Sequence, residues 1–136
     1  MNTATHDDAQ VVLRLYELRR ETVMRASRET IMNWKPTCYE DLAELAQFGS
    51  AENAAFRQVS SYFEMAYGFA RRGAVHAELL VEACGEGLLL YAKVQPYVER
   101  FREERSPHAF RNAEWVAQNT ETGAARAEYF KDMLDQ

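Results

Sequence analysis

Three glutamates spaced four residues apart are the pattern in this sequence that most suggests chemistry: Glu78, Glu82 and Glu86. On a helix this spacing puts three carboxylates on one face, where like charges repel by a few tenths of a kcal/mol per pair, roughly, unless a cation compensates them. A hard divalent ion or a basic partner would supply that compensation, since such ions prefer oxygen ligands. The competing interpretation is a solvated helix face, with Glu78 favoured by the helix dipole. We favour the solvated face and keep these glutamates as candidate metal ligands.

The histidines and cysteines give little support for catalysis. A di-iron bundle requires Glu-x-x-His motifs from two helices, and none of the three histidines has a glutamate three residues before it. Cys84 falls on an apolar helix face, and Cys38 has no histidine nearby, so neither shows the electropositive, accessible setting that lowers a thiol pKa. The sequence therefore leans towards a protein that is not an enzyme, and it predicts no cofactor.

A second candidate site is the polar edge of the aromatic stretch 53–73, where Arg57, Glu64 and Arg71 recur every seven residues. One interpretation is a groove for a small molecule or a peptide, lined by tyrosines and made polar by Glu64 or Arg19. The other, which we favour, is an ion-pair network in which Arg19 or another arginine reaches Glu64 and locks the first helix to the central helix. The candidate ligand-binding residues are Glu64, Arg19, Tyr62, Tyr67 and Tyr91.

The helix that must position this edge covers about residues 50–72. Its apolar residues fill an arc of roughly 160°, which is wider than the stripe of about 100° on an ordinary surface helix. One neighbouring helix cannot cover that arc. The spacing therefore predicts a central helix flanked by at least two others, with Gly73 ending it in the left-handed conformation.

The chain before the central helix is predicted to form two helices. The first runs from about Asp8 to Asn33 with Thr5 or Asp7 as its N-cap. The second follows a capping box that begins at Thr37 and ends with Glu40, and it extends to about residue 48. Gly49 and Ser50 then end that helix and cap the next one.

The chain after the central helix is predicted to begin with one long helix, about 75–105, because apolar residues keep their spacing across Pro96, which kinks it. Gly87 lies on its apolar face and permits close approach to the central helix. Ser106 and Pro107 have the types of an N-cap and first residue of a further helix. A last helix covers about 122–134, and the fold is an all-α bundle of five to six helices.

Composition limits the classes of function. The 136 residues form one domain, 1–136, with enough apolar sequence (47%) for a packed core. A net charge of −5 disfavours nucleic-acid binding, and no apolar run approaches the ~20 residues of a membrane span. The N-terminus has no signal-peptide pattern, so we expect a cytoplasmic protein.

Four stretches resemble a helical bacterial family that is known only as a domain of unknown function. They are LYELRRETVMRASRETI (15–31), FRQVSSYFEMAYGFARRG (56–73), YAKVQPYVERFRE (91–103) and FRNAEWVA (110–117). The resemblance implies a helical fold and carries no activity. Members often have a membrane helix before the domain, and no such helix is expected in this sequence.

The expected function is therefore contact with other proteins, through homodimerisation or an unknown partner. The alternative is a small-molecule or divalent-metal binding protein with its site between the central helix and the long helix after it. The candidate interface consists of apolar residues near the end of the chain: Trp115, Tyr129, Phe130, Met133 and Leu134.

Overall fold

A computed structural model describes residues 3–136, and within that range the chain is helical with no strand, as the sequence predicts. The helices are more numerous and shorter than the predicted five to six. They are α1 (His6–Arg19), α2 (Thr22–Asn33), α3 (Tyr39–Ala46), α4 (Asn53–Arg71), α5 (Ala77–Ala83), α6 (Gly87–Val94), α7 (Val98–Glu104), α8 (Arg111–Asn119) and α9 (Glu121–Leu134), with a 3-10 turn (Gln95–Tyr97) between α6 and α7.

The predicted first helix is divided into α1 and α2. Thr5 caps α1 as predicted, because its hydroxyl accepts from the Asp8 amide while the Asp8 carboxylate accepts from the Thr5 amide. The prediction of a continuous helix to Asn33 is wrong. Its apolar spacing continues, but the Glu21 carboxylate accepts from the amides of Val23 and Met24, at 3.0 and 3.1 Å, and so begins α2.

The boundaries of α3 and α4 also differ from the prediction. Thr37 pairs with Asp41 instead of Glu40, since the Thr37 amide donates to Asp41 Oδ2 at 2.8 Å. The predicted cap at Ser50 is wrong, because α4 begins at Asn53 and the Ser50 hydroxyl donates back to the Leu45 carbonyl of α3. Gly49 and Gly73 do have the expected left-handed φ, at 92° and 78°.

The central position of the aromatic helix is confirmed. α4 packs against α2, α3, α5, α6 and α8. Its wide apolar arc is almost fully buried, and Tyr67 and Ala66 have no exposed surface. Its buried residues are Asn53, Phe56, Val59, Tyr62, Phe63, Ala66, Tyr67 and Ala70. The core of the molecule is thus arranged around α4.

The predicted long helix over 75–105 is wrong, because the segment contains α5, α6, the 3-10 turn and α7. The first break lies at Cys84, whose carbonyl accepts from the Tyr67 hydroxyl at 2.6 Å. The second lies at the 3-10 turn that contains Pro96, where a continuous helix would lose an amide donor. The predicted close approach at Gly87 is confirmed, since a Cβ there would lie 2.6 Å from Phe63 Cγ and from the Tyr67 hydroxyl.

The sequence predicts two helix starts after residue 105, and one is wrong while the other is nearly right. Ser106 and Pro107 do not open a helix, because residues 107–110 form turns and α8 begins only at Arg111. α9 begins one residue before the predicted start, with the Thr120 hydroxyl accepting from the Gly123 amide at 2.9 Å. α9 packs on α5, α6 and α8 and covers the almost fully buried α6.

Candidate functional site

Glu64 lies on the polar edge of α4 and faces the first turn of α8. Its carboxylate accepts from two backbone amides, Asn112 at 3.1 Å and Ala113 at 2.8 Å. These are amides that a helix leaves without partners in its first turn, so Glu64 acts as the cap of α8 from another helix. Burial raises the pKa of the Glu64 carboxyl, and the two amides and the nearby charges of Arg102 and Arg71 oppose that rise.

The predicted ion pair between Glu64 and an arginine is wrong, since no described arginine forms a salt bridge with it. Arg71 is connected to Glu64 through Asn112. Its Nη1 donates to Asn112 Oδ1 at 3.2 Å, and Asn112 Nδ2 donates to the Glu64 carbonyl at 3.0 Å. Arg57 instead donates through Nε to Asn53 Oδ1 at 2.9 Å. The polar edge therefore joins α4 to α8 through amide hydrogen bonds, and not to the first helix as predicted.

Phe110, just before α8, is the one non-glycine residue with positive φ in the described range 3–136, with φ 58° and ψ 19°. This conformation costs an ordinary residue about 1–2 kcal/mol. The ring is 5% exposed and packs near the rings of Phe56 and Tyr91, at centroid distances of 6.2 and 6.5 Å. Burial of the ring and the Glu64 cap together offset the strain.

Arg102 of α7 holds the segment that precedes Phe110. Its side chain is 5% exposed, its Nε donates to the Ala109 carbonyl at 2.9 Å, and its Nη1 lies 3.1 Å from Glu114 Oε2. Because Arg102 is the buried partner of these contacts, it fixes the path of residues 105–110 relative to α8.

A cleft of about 450 Å³ lies between the polar edge of α4 and this segment. Its size falls in the range of small-molecule sites, about 300–1,000 Å³. The lining residues are Ala46, Asn53, Phe56, Arg57, Ser60, Ser61, Glu64, Phe101, Arg105, Ser106, His108, Ala109 and Phe110. Of the residues predicted from sequence to bind a ligand, Glu64 is the one that the structure brings to this cleft.

The three candidate tyrosines are buried in the core. Tyr62 and Tyr67 donate their hydroxyls to the carbonyls of Leu15 and Cys84, and Tyr91 packs near Phe110. Burial raises the pKa of Tyr62 to about 12 and raises the pKa values of Tyr67 and Tyr91 as well. The hydroxyls of Tyr62 and Tyr67 are thus protonated and held in structural hydrogen bonds.

The remaining ligand candidate, Arg19, lies at the end of α1, over the ring of Tyr16 with its guanidinium carbon 5.0 Å from the centroid. Its Nε is buried without a hydrogen-bond partner among the described residues. Arg19 therefore has neither the acid partner nor the position beside Glu64 that the sequence suggested.

The three candidate metal-ligating glutamates do not share a helix face, because α5 ends at Ala83 before Glu86. Glu78 accepts from the amides of Glu121 and Thr122 at 2.8 and 2.9 Å, which lowers the pKa of its carboxyl. Glu86 forms a two-bond pair with Arg28 at 2.6 Å in both contacts. Residues 3–136 contain no group of three His, Cys, Asp or Glu side chains placed to hold a metal ion.

A second concave surface, the α2/α9 groove, has a volume of about 600 Å³. Its walls are the end of α2 with residues 35–37, residues 89–97, and the end of α9 from Lys131. Three exposed apolar side chains from opposite ends of the chain meet there: Met32 (47% exposed), Met133 and Leu134 (both 40%). Exposed apolar groups that converge on one groove are typical of binding surfaces.

Lys93 lies in the wall of this groove, and the sequence analysis did not identify it as a site residue. It is 5% exposed, and its Nζ donates to the carbonyls of Ile31, Met32 and Trp34 at 2.9, 2.9 and 2.8 Å. These carbonyls end α2, so the ammonium group caps that helix. Burial, and secondly the charge of Lys35, lowers the pKa of Lys93 to about 8. The sequence contains a signal for this buried role, because Lys93 is the one charged residue in the apolar run LLLYAKV.

The candidate interface residues fall into two groups. Tyr129, Met133 and Leu134 are exposed, whereas Trp115 and Phe130 are half-buried against the core. The most exposed large apolar residue among those described is Phe48, 82% exposed in the turn between α3 and α4. The sequence predicts Phe48 only as the end of a helix, although its position beside Gly49 in a turn is a signal of exposure.

Among the described residues, no helix is both long and apolar enough to cross a membrane. A family model described as a domain of unknown function (DUF4760) matches residues 4–120, which span α1 to α8. No curated protein matches the chain. No solved structure matches it either.

Proposed function

The chain belongs to the DUF4760 family, whose function is unknown, and we propose that it acts as a self-associating helical domain in which Phe48 of one copy enters the α2/α9 groove of a second copy. The supporting observation is a pair of complementary features on the surface of the molecule. Phe48 is an 82% exposed ring, and the groove presents exposed Met32, Met133 and Leu134. Methionine side chains adapt well to an inserted group.

Charge complementarity favours a second copy as the occupant. Phe48 lies between two exposed acids, Glu44 and Glu52, whereas exposed lysines stand on two walls of the groove, Lys35 and Lys131. No salt bridge involves either lysine within residues 3–136. The Phe48 protrusion thus carries two acids against one arginine, Arg57, which lies over the ring, and the groove carries two exposed lysines against Asp135. Net charges of opposite sign on the two surfaces attract each other between copies.

The positions of the two features suit a two-fold dimer. Lys35 lines both the α2/α9 groove and a smaller pocket formed with Glu44 and Glu52, so the groove neighbours the two acids that flank Phe48 in the sequence. In a two-fold arrangement each copy gives its protrusion and receives the other, which doubles the contact. A standard interface of about 800 Å² per subunit would take about a tenth of the 8175 Å² surface.

Light scattering over a dilution series tests the proposal directly. We expect a dimer that dissociates on dilution, and a monomer at every concentration would overturn the proposal. Phe48→Ser should weaken association by about thirtyfold or more, since a central aromatic anchor contributes 2 kcal/mol or more. The double variant Met133→Ser/Leu134→Ser should weaken association to a similar extent. Val23→Ser is the matched control, because Val23 is a 57% exposed apolar residue of α2 outside the groove. It should leave association unchanged.

Mixing the two defective variants distinguishes this contact from other dimer geometries. Phe48→Ser keeps the groove, and the Met133→Ser/Leu134→Ser variant keeps the protrusion, so a mixed dimer retains one of its two contacts. We expect the mixture to associate more tightly than either variant alone. Equal weakness of the mixture and the separate variants would contradict insertion of Phe48 into the groove.

A further inference from the structure

We propose that the cleft between α4 and residues 105–110 binds a small organic anion, with a carboxylate or phosphate group attached to an apolar body. This site is separate from the α2/α9 groove and shares no lining residue with it. The proposal rests on three features of the cleft: its apolar floor, its two arginines and the strained wall opposite Arg57.

The floor of the cleft is formed by rings that are themselves packed in the core. Phe56, Phe101 and Phe110 are 5–7% exposed, and all three line the cleft. Ala46 and Ala109 add small apolar surfaces beside them. A ligand with a flat apolar body would cover this surface and remove it from water, which is favourable by about 25 cal/mol per Å².

The lining of the cleft carries two arginines against one carboxylate. Arg57 and Arg105 are exposed and line the cleft, and neither forms a salt bridge with a described residue. The one carboxylate in the lining is Glu64, which already accepts from two α8 amides. A guanidinium group presents its donors in a planar fork that matches a carboxylate or a phosphate.

A hydrogen bond orients the Arg57 side chain before any ligand arrives. Its Nε donates to Asn53 Oδ1 at 2.9 Å, and its guanidinium carbon lies 5.2 Å from the centroid of the Phe48 ring. Its other guanidinium nitrogens make no hydrogen bond to the described residues. Ser60 beside it adds a hydroxyl to the lining. A side chain that is held in place loses less entropy on binding, which increases affinity.

The opposite wall is held in a strained conformation. Phe110 has φ 58°, and Arg102 fixes the neighbouring Ala109 carbonyl. Backbone strain that the surroundings maintain is found preferentially at ligand sites, because it keeps a binding surface in one arrangement. The strain at Phe110 shapes the wall from which Arg105 and His108 line the cleft.

Titration of the whole chain with four probes, followed by amide NMR, tests the proposal. Phenyl phosphate and phenylacetate carry both the anion and the apolar body, inorganic phosphate carries only the anion, and benzyl alcohol only the apolar body. We expect saturable shifts at cleft residues with at least one aromatic anion, and weaker binding of the two partial probes. The ratio between the aromatic anions identifies phosphate or carboxylate as the preferred group. Equal binding of inorganic phosphate and phenyl phosphate would overturn the apolar half of the proposal.

Arginine variants provide the matched control. Arg57→Gln and Arg105→Gln should each weaken the aromatic anion by about tenfold or more, since a hydrogen bond to a charged group contributes about 1.5–3 kcal/mol. Arg14→Gln, an exposed arginine of α1 that does not line the cleft, should leave affinity unchanged. If none of the probes gives saturable shifts in the cleft, or if Arg14→Gln weakens binding as much as the cleft variants, the proposal is wrong.

Discussion

The Glu64 carboxylate makes two hydrogen bonds that no neutral side chain of the same shape reproduces. Glutamine has one carbonyl oxygen, so Glu64→Gln leaves one of the α8 amides facing an NH₂ group. We expect the free energy of unfolding to fall by about 1–3 kcal/mol, the cost of a part-buried group without a partner. Urea unfolding at pH 7 measures this loss. Glu82→Gln is the control, because Glu82 is exposed and its carboxylate makes no hydrogen bond to the described residues; equal losses in the two variants would contradict the capping role.

Tyr62 makes stability depend on pH in alkaline solution. Its pKa is about 12 in the folded protein and about 10 in the unfolded chain, so between pH 10 and 12 only the unfolded state releases the proton. The free energy of unfolding should therefore fall as pH rises through this window, by at most about 1.4 kcal/mol per pH unit from this residue.

The variant Tyr62→Phe isolates that contribution, because the other titrating groups are common to both chains. At pH 7 the variant should be less stable, since it lacks the hydrogen bond to the Leu15 carbonyl. Between pH 10 and 12 its stability should fall less steeply than that of the parent chain. Parallel curves across this window, measured by urea unfolding, would show that Tyr62 does not hold its proton in the folded state.

At the level of residues, the sequence located the polar edge but not its partners. Glu64 and Arg71 face α8 and not the first helix, which is where the sequence placed their partner, and Asn112 takes the place of the expected ion pair. The start of α8 at Arg111 was hidden, because Ser106 and Pro107 have the residue types of a helix start while the left-handed Phe110 does not. The cleft depends on that start, so it was not predictable.

Several helix ends are completed by side chains far away in the sequence. Glu64 caps α8 across 49 residues, Glu78 caps α9 across 44, and Lys93 caps α2 across 62. Asp8 similarly accepts from the His76 amide, 68 residues away and just before α5. Local patterns of capping residues contain none of this information. This is why the helical class was predictable from the sequence while many helix boundaries were not.

The contact between α4 and α6 tolerates no added volume at Gly87. A methyl group there would lie 2.7 Å from Phe63 Cβ, close to the α4 backbone, so Gly87→Ala should destabilise the fold by about 1–3 kcal/mol through overpacking. Gly85→Ala is the matched control. Its closest obstacle is the end of the Arg126 side chain, which can move away. Thermal unfolding should show the larger loss for Gly87→Ala, and a larger loss for Gly85→Ala would contradict the close α4–α6 contact.

Self-association of the whole molecule should depend on ionic strength. The proposed contact places Lys35 and Lys131 of one copy near Glu44 and Glu52 of the other, and salt screens such pairs once the Debye length falls from about 10 Å at 0.1 M to about 3 Å at 1 M. Sedimentation analysis should therefore show a weaker dimer at high salt. Lys131→Gln should reduce this salt dependence. An association that strengthens with salt in the parent chain would point to a contact without these charges.

At the level of the whole molecule, composition and periodicity were sufficient for the all-α class and for the central position of α4. The arc of apolar residues on α4 is broad enough to require several neighbours, and five helices pack around it. The α2/α9 groove was not predictable, because it joins the end of α2 to the end of α9, and no local pattern links residues about a hundred positions apart.

The hydrogen bonds from the Glu121 and Thr122 amides to Glu78 cross the end of the family match at residue 120. A recombinant fragment trimmed to the matched residues would keep α1 to α8 and still lose the helix that covers α6. The almost fully buried apolar side chains of α6 would then face water, and Glu78 would lose both of its amide donors. Such a fragment should aggregate and bind hydrophobic dyes, so the domain boundary used for expression or crystallisation belongs after α9.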